Sequence, residues 1–393
     1  MRKVLVYDYC LKVTGHRLPY AALVADSFRN GAYEVVLAIP DLLQDLSESQ
    51  PYLADDLTVD FFPVNGTKKP ISKALDSVNC LGKLIQKHKP DLVCVPTADG
   101  LAPLAFFSSK LPWSPLRKSA IDICLMRGNC RPEASWFKRT QSIIVWWLTS
   151  NGPWKRIQLI DPRAWFNCSD RERFGLCPDP VPKQKFFGRV EARKSLGLPE
   201  TGRLIVSVGG QNKRKGSDYL LRSFALADLK EDEYLVFIGR IDATISSLID
   251  ELKLNNSEFA NRLIVRDEFV SEDEFQQAIV AADIVAAPYR SVDRPSGIVC
   301  RSLGWGRPLL LNDRGWLKWI NDQFQVGFPG NPSNTVEFAS TIRQALDACE
   351  QFARSDAADN FVRYNTEENY RLVWRSILEP ELQPFSSECF LKN

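Results

Sequence analysis

The stretch from Asp283 to Pro308 sets the strongest limit on what this chain can fold into. Ile284 to Ala287 is an apolar run of strand length. A loop carrying Asp293 follows, and Ser296-Gly297 opens a helical segment that Gly304 and Gly306 close. Pro308 then leads Leu309 to Leu311 into the next strand. A strand, a small-residue turn and a helix N-terminus make an anion site, because the first amides of a helix have no partner within it. A carboxylate beside such a site suits chemistry at a sugar hydroxyl next to a phosphate.

The flanking chain repeats the strand-then-helix rhythm. Lys3 to Asp8 predicts a first buried strand. The loop Tyr9 to Leu18 carries Thr14-Gly15-His16, and a helix over Pro19 to Arg29 and a strand over Val35 to Ile39 follow. This is the opening of a doubly wound α/β domain, without the G-x-G-x-x-G of a dinucleotide fingerprint. Leu57 to Pro63 reads as a strand, Asn65-Gly66 as a turn, Ile71 to His88 as a helix, and Asp91 to Pro96 as a strand. The last delivers Thr97-Ala98-Asp99-Gly100 to the carboxyl end of the sheet, where open α/β sheets meet ligands. Ile157 to Asp161 is the last clear strand of the first half. Cys177-Pro-Asp-Pro-Val-Pro182 is an extended connector and marks a domain boundary.

The second half predicts strands over Arg203 to Val208, Tyr234 to Ile238 and Leu263 to Arg266, with Gly239 ending the second of them. Gly209 to Gly216 is a glycine-basic loop feeding a helix over Asp218 to Ala227. Ser271 and Glu274 form a capping box for a helix ending near Ala282. Helices over Asn334 to Glu350 and Glu367 to Leu378 close the chain.

At 393 residues the chain is too long for one ordinary core. Its charge is uneven. Residues 1–185 carry 25 Lys/Arg against 18 Asp/Glu, and residues 186–393 carry 25 against 30. Between Lys110 and Gln158 nine basic residues face only Asp122 and Glu133. Arg131 to Ser150 adds Trp136, Phe137, Trp146 and Trp147 to Lys138 and Arg139, which suits either an anionic membrane surface or a core helix with a basic exposed side. No window reaches the roughly 18 apolar residues of a spanning helix, and no signal peptide is legible. The 10 cysteines have no C-x-x-C spacing and there are 2 histidines. That predicts reduced thiols in a cytoplasmic protein, possessing neither a disulfide framework nor a metal site. Nothing points to a nucleic-acid partner.

With these residues in view, the chain resembles the GT-B glycosyltransferases, in particular the retaining, glycogen-synthase-like family 4. The segments that carry the resemblance are Pro178-Asp-Pro-Val, Arg193-Lys-Ser-Leu-Gly-Leu-Pro199 running into Leu204-Ile-Val-Ser-Val-Gly209, Lys215-Gly-Ser-Asp-Tyr-Leu-Leu221, Ala281-Ala-Asp-Ile-Val285 and Gly306-Arg-Pro308. The resemblance implies an α/β protein with two Rossmann-like doubly wound domains facing across a cleft. They would be an acceptor domain over 1–182 and a nucleotide-sugar domain over 183–365, with 366–393 a helix and tail packing back on the first. It also implies hexose transfer from a nucleotide-diphosphate sugar, of UDP or GDP type, to a glycan or lipid-linked acceptor, with no metal and no cofactor.

Residue by residue, the resemblance gives Lys215 the donor diphosphate, and Ser296, Gly297 and Ile298 the distal phosphate. Gly15, Gly210 and Lys213 fall to the diphosphate. Asp293 stands where the family has the first glutamate of its E-x7-E motif, while His16 and Asp99 face sugar or acceptor. Gly239, Phe269 and Arg301 fall to the nucleoside. Two positions depart from the pattern. Arg301 replaces the second motif glutamate, and Gly210 replaces the usual phosphate-loop arginine, although Lys213 and Arg214 offer charge from the same loop. Arg301 then contacts phosphate or ribose, or it marks a non-catalytic scaffold that binds a nucleotide or a partner enzyme. Plainer roles remain open at each site: a solvated surface for Lys215 and Lys213, a helix cap for Ser296, a loop cap for Asp293, and a surface turn for His16.

Overall fold

The computed structural model describes residues 1–11, 16–29, 31, 33–64, 69–126, 136–183, 188–290 and 293–385. The chain divides into two compact units, one of residues 1–180 with 367–386 and one centred on 181–366.

The first unit is built on strands β1 (Arg2–Tyr7), β2 (Tyr33–Pro40), β3 (Thr58–Phe62), β4 (Leu92–Val95), β5 (Ile121–Leu125), β6 (Arg156–Leu159) and β7 (Phe174–Leu176). They pair in parallel in the order β3-β2-β1-β4-β5-β6-β7. Parallel strands are buried on both faces, which is why β1, β2 and β4 read as nearly continuous apolar runs. On one face Val4, Val6, Val35, Leu37 and Cys94 meet the helix Arg17–Arg29 and the C-terminal helix Glu367–Arg375. Tyr370 and Trp374 of the latter are fully buried there, and Arg371 reaches Asp26 at 3.1 Å. The long helix Pro70–His88 meets the other face, where Tyr7 donates its hydroxyl to the Ser77 carbonyl at 2.8 Å.

The second unit holds β8 (Arg203–Val208), β9 (Glu233–Ile238), β10 (Leu263–Arg266), β11 (Ile284–Ala287), β12 (Leu309–Asn312) and β13 (Gly327–Gly330). Their parallel order is β10-β9-β8-β11-β12-β13. Successive residues alternate between two cores. Leu204, Val206, Val285 and Leu309 belong to one, and Ile205, Leu235, Ile284 and Leu310 to the other. Helices therefore cover both faces. In each sheet the strand order reverses beside the first strand, between β1 and β4 and between β8 and β11. That reversal opens a crevice at the carboxyl ends of those strands.

Several elements lie outside the sequence reading: the strands β5, β7 and β13 and the helices Ala102–Ser109, Ala243–Asn255 and Gly315–Phe324. The Asn65-Gly66 turn falls outside the described residues. Among the described residues no helix is long and apolar enough to cross a membrane. The eight described cysteines are free thiols, seven of them buried.

Asp122 explains why β5 escapes notice. It places a wholly buried carboxylate in the middle of an apolar strand, where Oδ1 accepts the Arg156 N–H at 3.0 Å. Burial outweighs the Arg156 charge and that hydrogen bond, and pushes the carboxyl pKa up to about 6. The folded state therefore holds this proton to higher pH than the unfolded chain does. The cost of ionising Asp122 is absent near pH 4 and fully present above about pH 6. In Asp122→Asn this dependence vanishes. Denaturant unfolding of both proteins is expected to show the variant improving on the natural chain by about 2–3 kcal/mol between pH 4 and pH 8.

Candidate functional site

In the second unit, positive-φ glycines mark the ends of β8 and β9 and the basic loop that follows β8. Gly209 leaves β8 at φ +87°, and Gly239 leaves β9 at φ +131°. The two approach so closely that a Cβ on Gly239 would lie 2.4 Å from the Gly209 carbonyl oxygen. This packing gives Gly239 a structural reason to be glycine, next to the nucleoside role expected of it. Gly216 has φ +74°, and a Cβ there would lie 2.0 Å from the Pro288 carbonyl oxygen. The basic loop is thereby pressed onto the end of β11.

Gln211, almost fully buried, fixes the loop from within. Its side-chain oxygen accepts from Ser207 and Ser217, each at 2.9 Å. Its amide nitrogen donates to the Ser207 carbonyl at 3.0 Å and to the Gly209 carbonyl at 2.7 Å. Asn212 caps the short turn Lys213–Lys215 by accepting the Lys215 N–H at 3.1 Å. The turn carries Lys215 back under Gly209, where its ammonium donates to the Val208 carbonyl at 3.0 Å. Burial, helped by the neighbouring Arg214 charge, lowers the Lys215 pKa to about 8. Lys213 and Arg214 are exposed on the same turn, and Gly210 is open enough that a Cβ would meet nothing closer than 3.8 Å.

Opposite this loop, the helix Gly297–Gly304 begins at Ser296, whose side chain makes no capping bond. Its hydroxyl pairs instead with Tyr289, a phenol raised in pKa by burial and lying in the field of Arg214. The Asn312 side chain holds the Tyr289 carbonyl at 2.8 Å. The Gly297 and Ile298 amides thus open the helix without a side-chain cap, facing the end of β11. Asp293 lies half-buried on the preceding loop. The backbone of Arg290 donates to the Arg214 carbonyl at 3.0 Å, tying the two loops together.

Arg301 does not stand free. It donates to Glu272 at 2.6 Å and lies 4.9 Å over the ring of Phe275. The same ring would approach a Cβ on Gly209 to 3.6 Å, so Phe275, Arg301 and Glu272 border the Lys215 loop. Phe269 is exposed just before the helix Glu272–Ala281, which carries Glu272 and Phe275. Sequence reasoning overlooked Gln211, Tyr289, Glu272 and Phe275. Glu272 acts across the fold, while Gln211 and Tyr289 bond residues within seven positions of themselves in a pattern that matches no motif.

In the first unit Gly15 lies outside the described residues. His16 is exposed, with its ring 5.2 Å from that of Tyr20. Asp99 accepts the Met126 N–H at 3.0 Å, which joins the ends of β4 and β5. A buried cluster missed by the sequence reading sits at this sheet's reversal. The Asp8 carboxylate is fully buried, meets Arg17 at 2.9 Å and accepts the Thr97 hydroxyl, while Arg17 Nε donates to Thr97 at 3.0 Å. Burial raises the Asp8 pKa against the pull of Arg17. Among the described residues no group of His, Cys, Asp or Glu has the arrangement of a metal site.

No protein-family profile matches the sequence. An uncharacterised glycosyltransferase of Methanocaldococcus jannaschii is 24% identical over 183 residues, which span 45% of this chain and 45% of that protein. The chain thus matches less than half the length of this relative. Among solved structures, the sucrose-phosphate synthase of Thermosynechococcus elongatus superposes with a TM-score of 0.71 at 14% identity, covering 97% of this chain and 99% of the other. Anabaena HepE in complex with UDP-glucose gives a TM-score of 0.68 at 14% identity, covering 97% and 100%. The chain has the GT-B fold, with two Rossmann-like α/β domains.

The glycine packing yields a paired test. Gly216→Ala forces a Cβ into the Pro288 carbonyl at a left-handed φ, and is expected to cost about 1–3 kcal/mol or more. Gly210→Ala makes only ordinary contacts, the nearest at 3.8 Å, and is expected to leave the melting temperature within about 2 °C. Calorimetry of the two variants separates a packed loop from a loose one.

Proposed function

We propose that this chain is a glycosyltransferase that moves a hexose from a nucleotide-diphosphate sugar to an acceptor hydroxyl, carried by a glycan, a glycolipid or a polysaccharide precursor. The observation that carries this reading is a cluster of groups suited to an anion at the reversal of the second sheet. There a desolvated lysine, an exposed basic turn and a helix N-terminus whose cap residue is engaged elsewhere are fixed at the ends of adjacent strands. Such a cluster suits a diphosphate, the group on which negative charge grows as the glycosidic bond breaks.

In the reaction the anomeric carbon exchanges its bond to the diphosphate oxygen for one to the acceptor oxygen. The acceptor proton leaves with the departing diphosphate. Lys215 and the 297–298 amides would stabilise that diphosphate, Asp293 would orient the sugar, and His16 or Asp99 would contact sugar or acceptor. Gly210, Lys213 and Ser296 would border the phosphates, and Phe269, Gly239 and Arg301 the nucleoside. Retention at the anomeric carbon and independence of metal complete the proposal, supported by the likeness of Lys215-Gly-Ser-Asp-Tyr-Leu-Leu221 to the retaining family 4 pattern. UDP is the first nucleotide to test, since HepE is solved with UDP-glucose.

The Arg301–Glu272 pair favours one other reading, a scaffold that binds nucleotide without turnover. Donor hydrolysis and transfer over a panel of UDP- and GDP-sugars decide between them. Binding without turnover supports the scaffold, whereas turnover that Lys215→Ala and Asp293→Ala leave unchanged overturns the assigned roles.

The lysine also predicts a pH profile. Only its protonated form attracts the diphosphate, and its free pKa is about 8. UDP affinity, measured by titration calorimetry, is expected to be level up to about pH 7.5 and to fall as pH rises beyond 8. Lys215→Ala is expected to bind about 10–150-fold more weakly and to lose that fall.

A further inference from the structure

The helix Trp136–Ser150 is nearly naked. Of its residues only Thr149 is buried. Trp136 is 80% exposed, Phe137 71% and Ile143 60%, with Ile144 and Trp147 each at 55%. At 100° per residue, Trp136, Ile143, Trp147, Ile144 and Phe137 fall on one stripe about 120° wide, interrupted only by Thr140. Trp147 packs edge-on against Phe106 of the helix Ala102–Ser109 at 5.3 Å between ring centres. Phe106 in turn packs edge-on against the exposed Phe107 at 5.4 Å, and Leu111 and the 75%-exposed Trp113 follow just after that helix. A protein rarely leaves so much contiguous apolar surface without something to cover it.

The charges around the stripe identify the covering. In the first turn Arg139 lies about 40° outside the stripe and Lys138 on the opposite, polar side of the helix, and Lys110, Arg117 and Lys118 are exposed in the chain around Trp113. No acidic residue occurs in residues 102–121 or 136–160. Lysine is depleted at protein interfaces, which tells against a second protein or a second copy of this chain. Tryptophan at the boundary, an apolar stripe and basic flanks are what the surface of an anionic bilayer takes up. A 15-residue helix is also only about 22 Å long, too short to cross a bilayer and suited to lie along one.

We infer that the helix Trp136–Ser150, with the Leu111–Trp113 turn, docks the first unit onto a bilayer surface containing anionic lipid. The docking stands independently of the transferase reading, because neither Lys215 nor any other proposed site residue takes part.

Vesicle flotation with the full chain tests it. Vesicles of phosphatidylcholine and phosphatidylglycerol at 7:3 are expected to carry the protein up the gradient, and pure phosphatidylcholine vesicles to carry far less. Raising NaCl from 150 to 500 mM is expected to release most of it. Lys138→Ser with Arg139→Ser is expected to lower the partition coefficient about 25-fold, roughly fivefold for each charge. Trp136→Ser with Phe137→Ser is expected to abolish binding at either salt. All four side chains are exposed, so circular dichroism melts should match the natural chain, and UDP affinity measured on the same preparations reports separately on the nucleotide site. Failure to float with the anionic vesicles overturns the proposal, as does equal flotation of the natural chain and both variants. It is overturned too if sedimentation equilibrium shows a dimer that Trp136→Ser with Phe137→Ser disperses while no protein floats.

Discussion

The buried amide of Gln211 is the interaction on which the second unit's site rests. A single side chain satisfies two hydroxyls and two backbone carbonyls at the end of β8. Leaving any of these groups unpaired in the interior would cost about 1–3 kcal/mol. The glycine loop can thus leave the strand at a left-handed angle, pass under Pro288 and return Lys215 to the strand end, without exposing its backbone. The lysine's depressed pKa follows from the same closeness. It is held against carbonyl and glycine and away from water, and its charge is retained at neutral pH by a narrow margin.

Much of this architecture is legible in the sequence because parallel strands buried on both faces announce themselves as apolar runs. The strands Arg203–Val208 and Leu263–Arg266 and the Ser271–Glu274 capping box read correctly to the residue. The strands that escape do so for separate physical reasons. β5 carries a buried Asp122, β7 is only Phe174–Leu176, and β13 is Gly-Phe-Pro-Gly, an edge strand whose proline and glycines read as a turn. Of the site, the residues set by local spacing are visible: Lys215 at its loop end and Ser296 to Ile298 at their helix start. Glu272 is not, because its partner Arg301 is brought near only by the fold, and Gln211 and Tyr289 are not, because the loop conformation that pairs them with near neighbours has no motif of its own.

The Arg301 edge carries a charge rearrangement within that frame. At Arg301, where the resemblance leads one to look for a carboxylate, the structure places a guanidinium that is neutralised by Glu272 and stacked over Phe275. A carboxylate is therefore present at this edge of the cluster, supplied by the N-terminus of a different helix. The pair is partly exposed, so its net worth to stability is small. Its interest lies in which hydrogen-bonding groups it presents.

The C-terminal helix Glu367–Arg375 has a consequence for how the molecule is made. Its Tyr370 and Trp374 are fully buried in the core of the first unit, against a helix that begins at Arg17. The ribosome releases the first 180 residues long before it releases these two aromatics. Throughout synthesis of the second unit, the first carries an open face where Tyr20, Val24 and Phe28 await their partner. The unit that emerges second completes its own core earlier. Until Tyr370 and Trp374 arrive, that open apolar face is the part of the nascent chain most exposed to association.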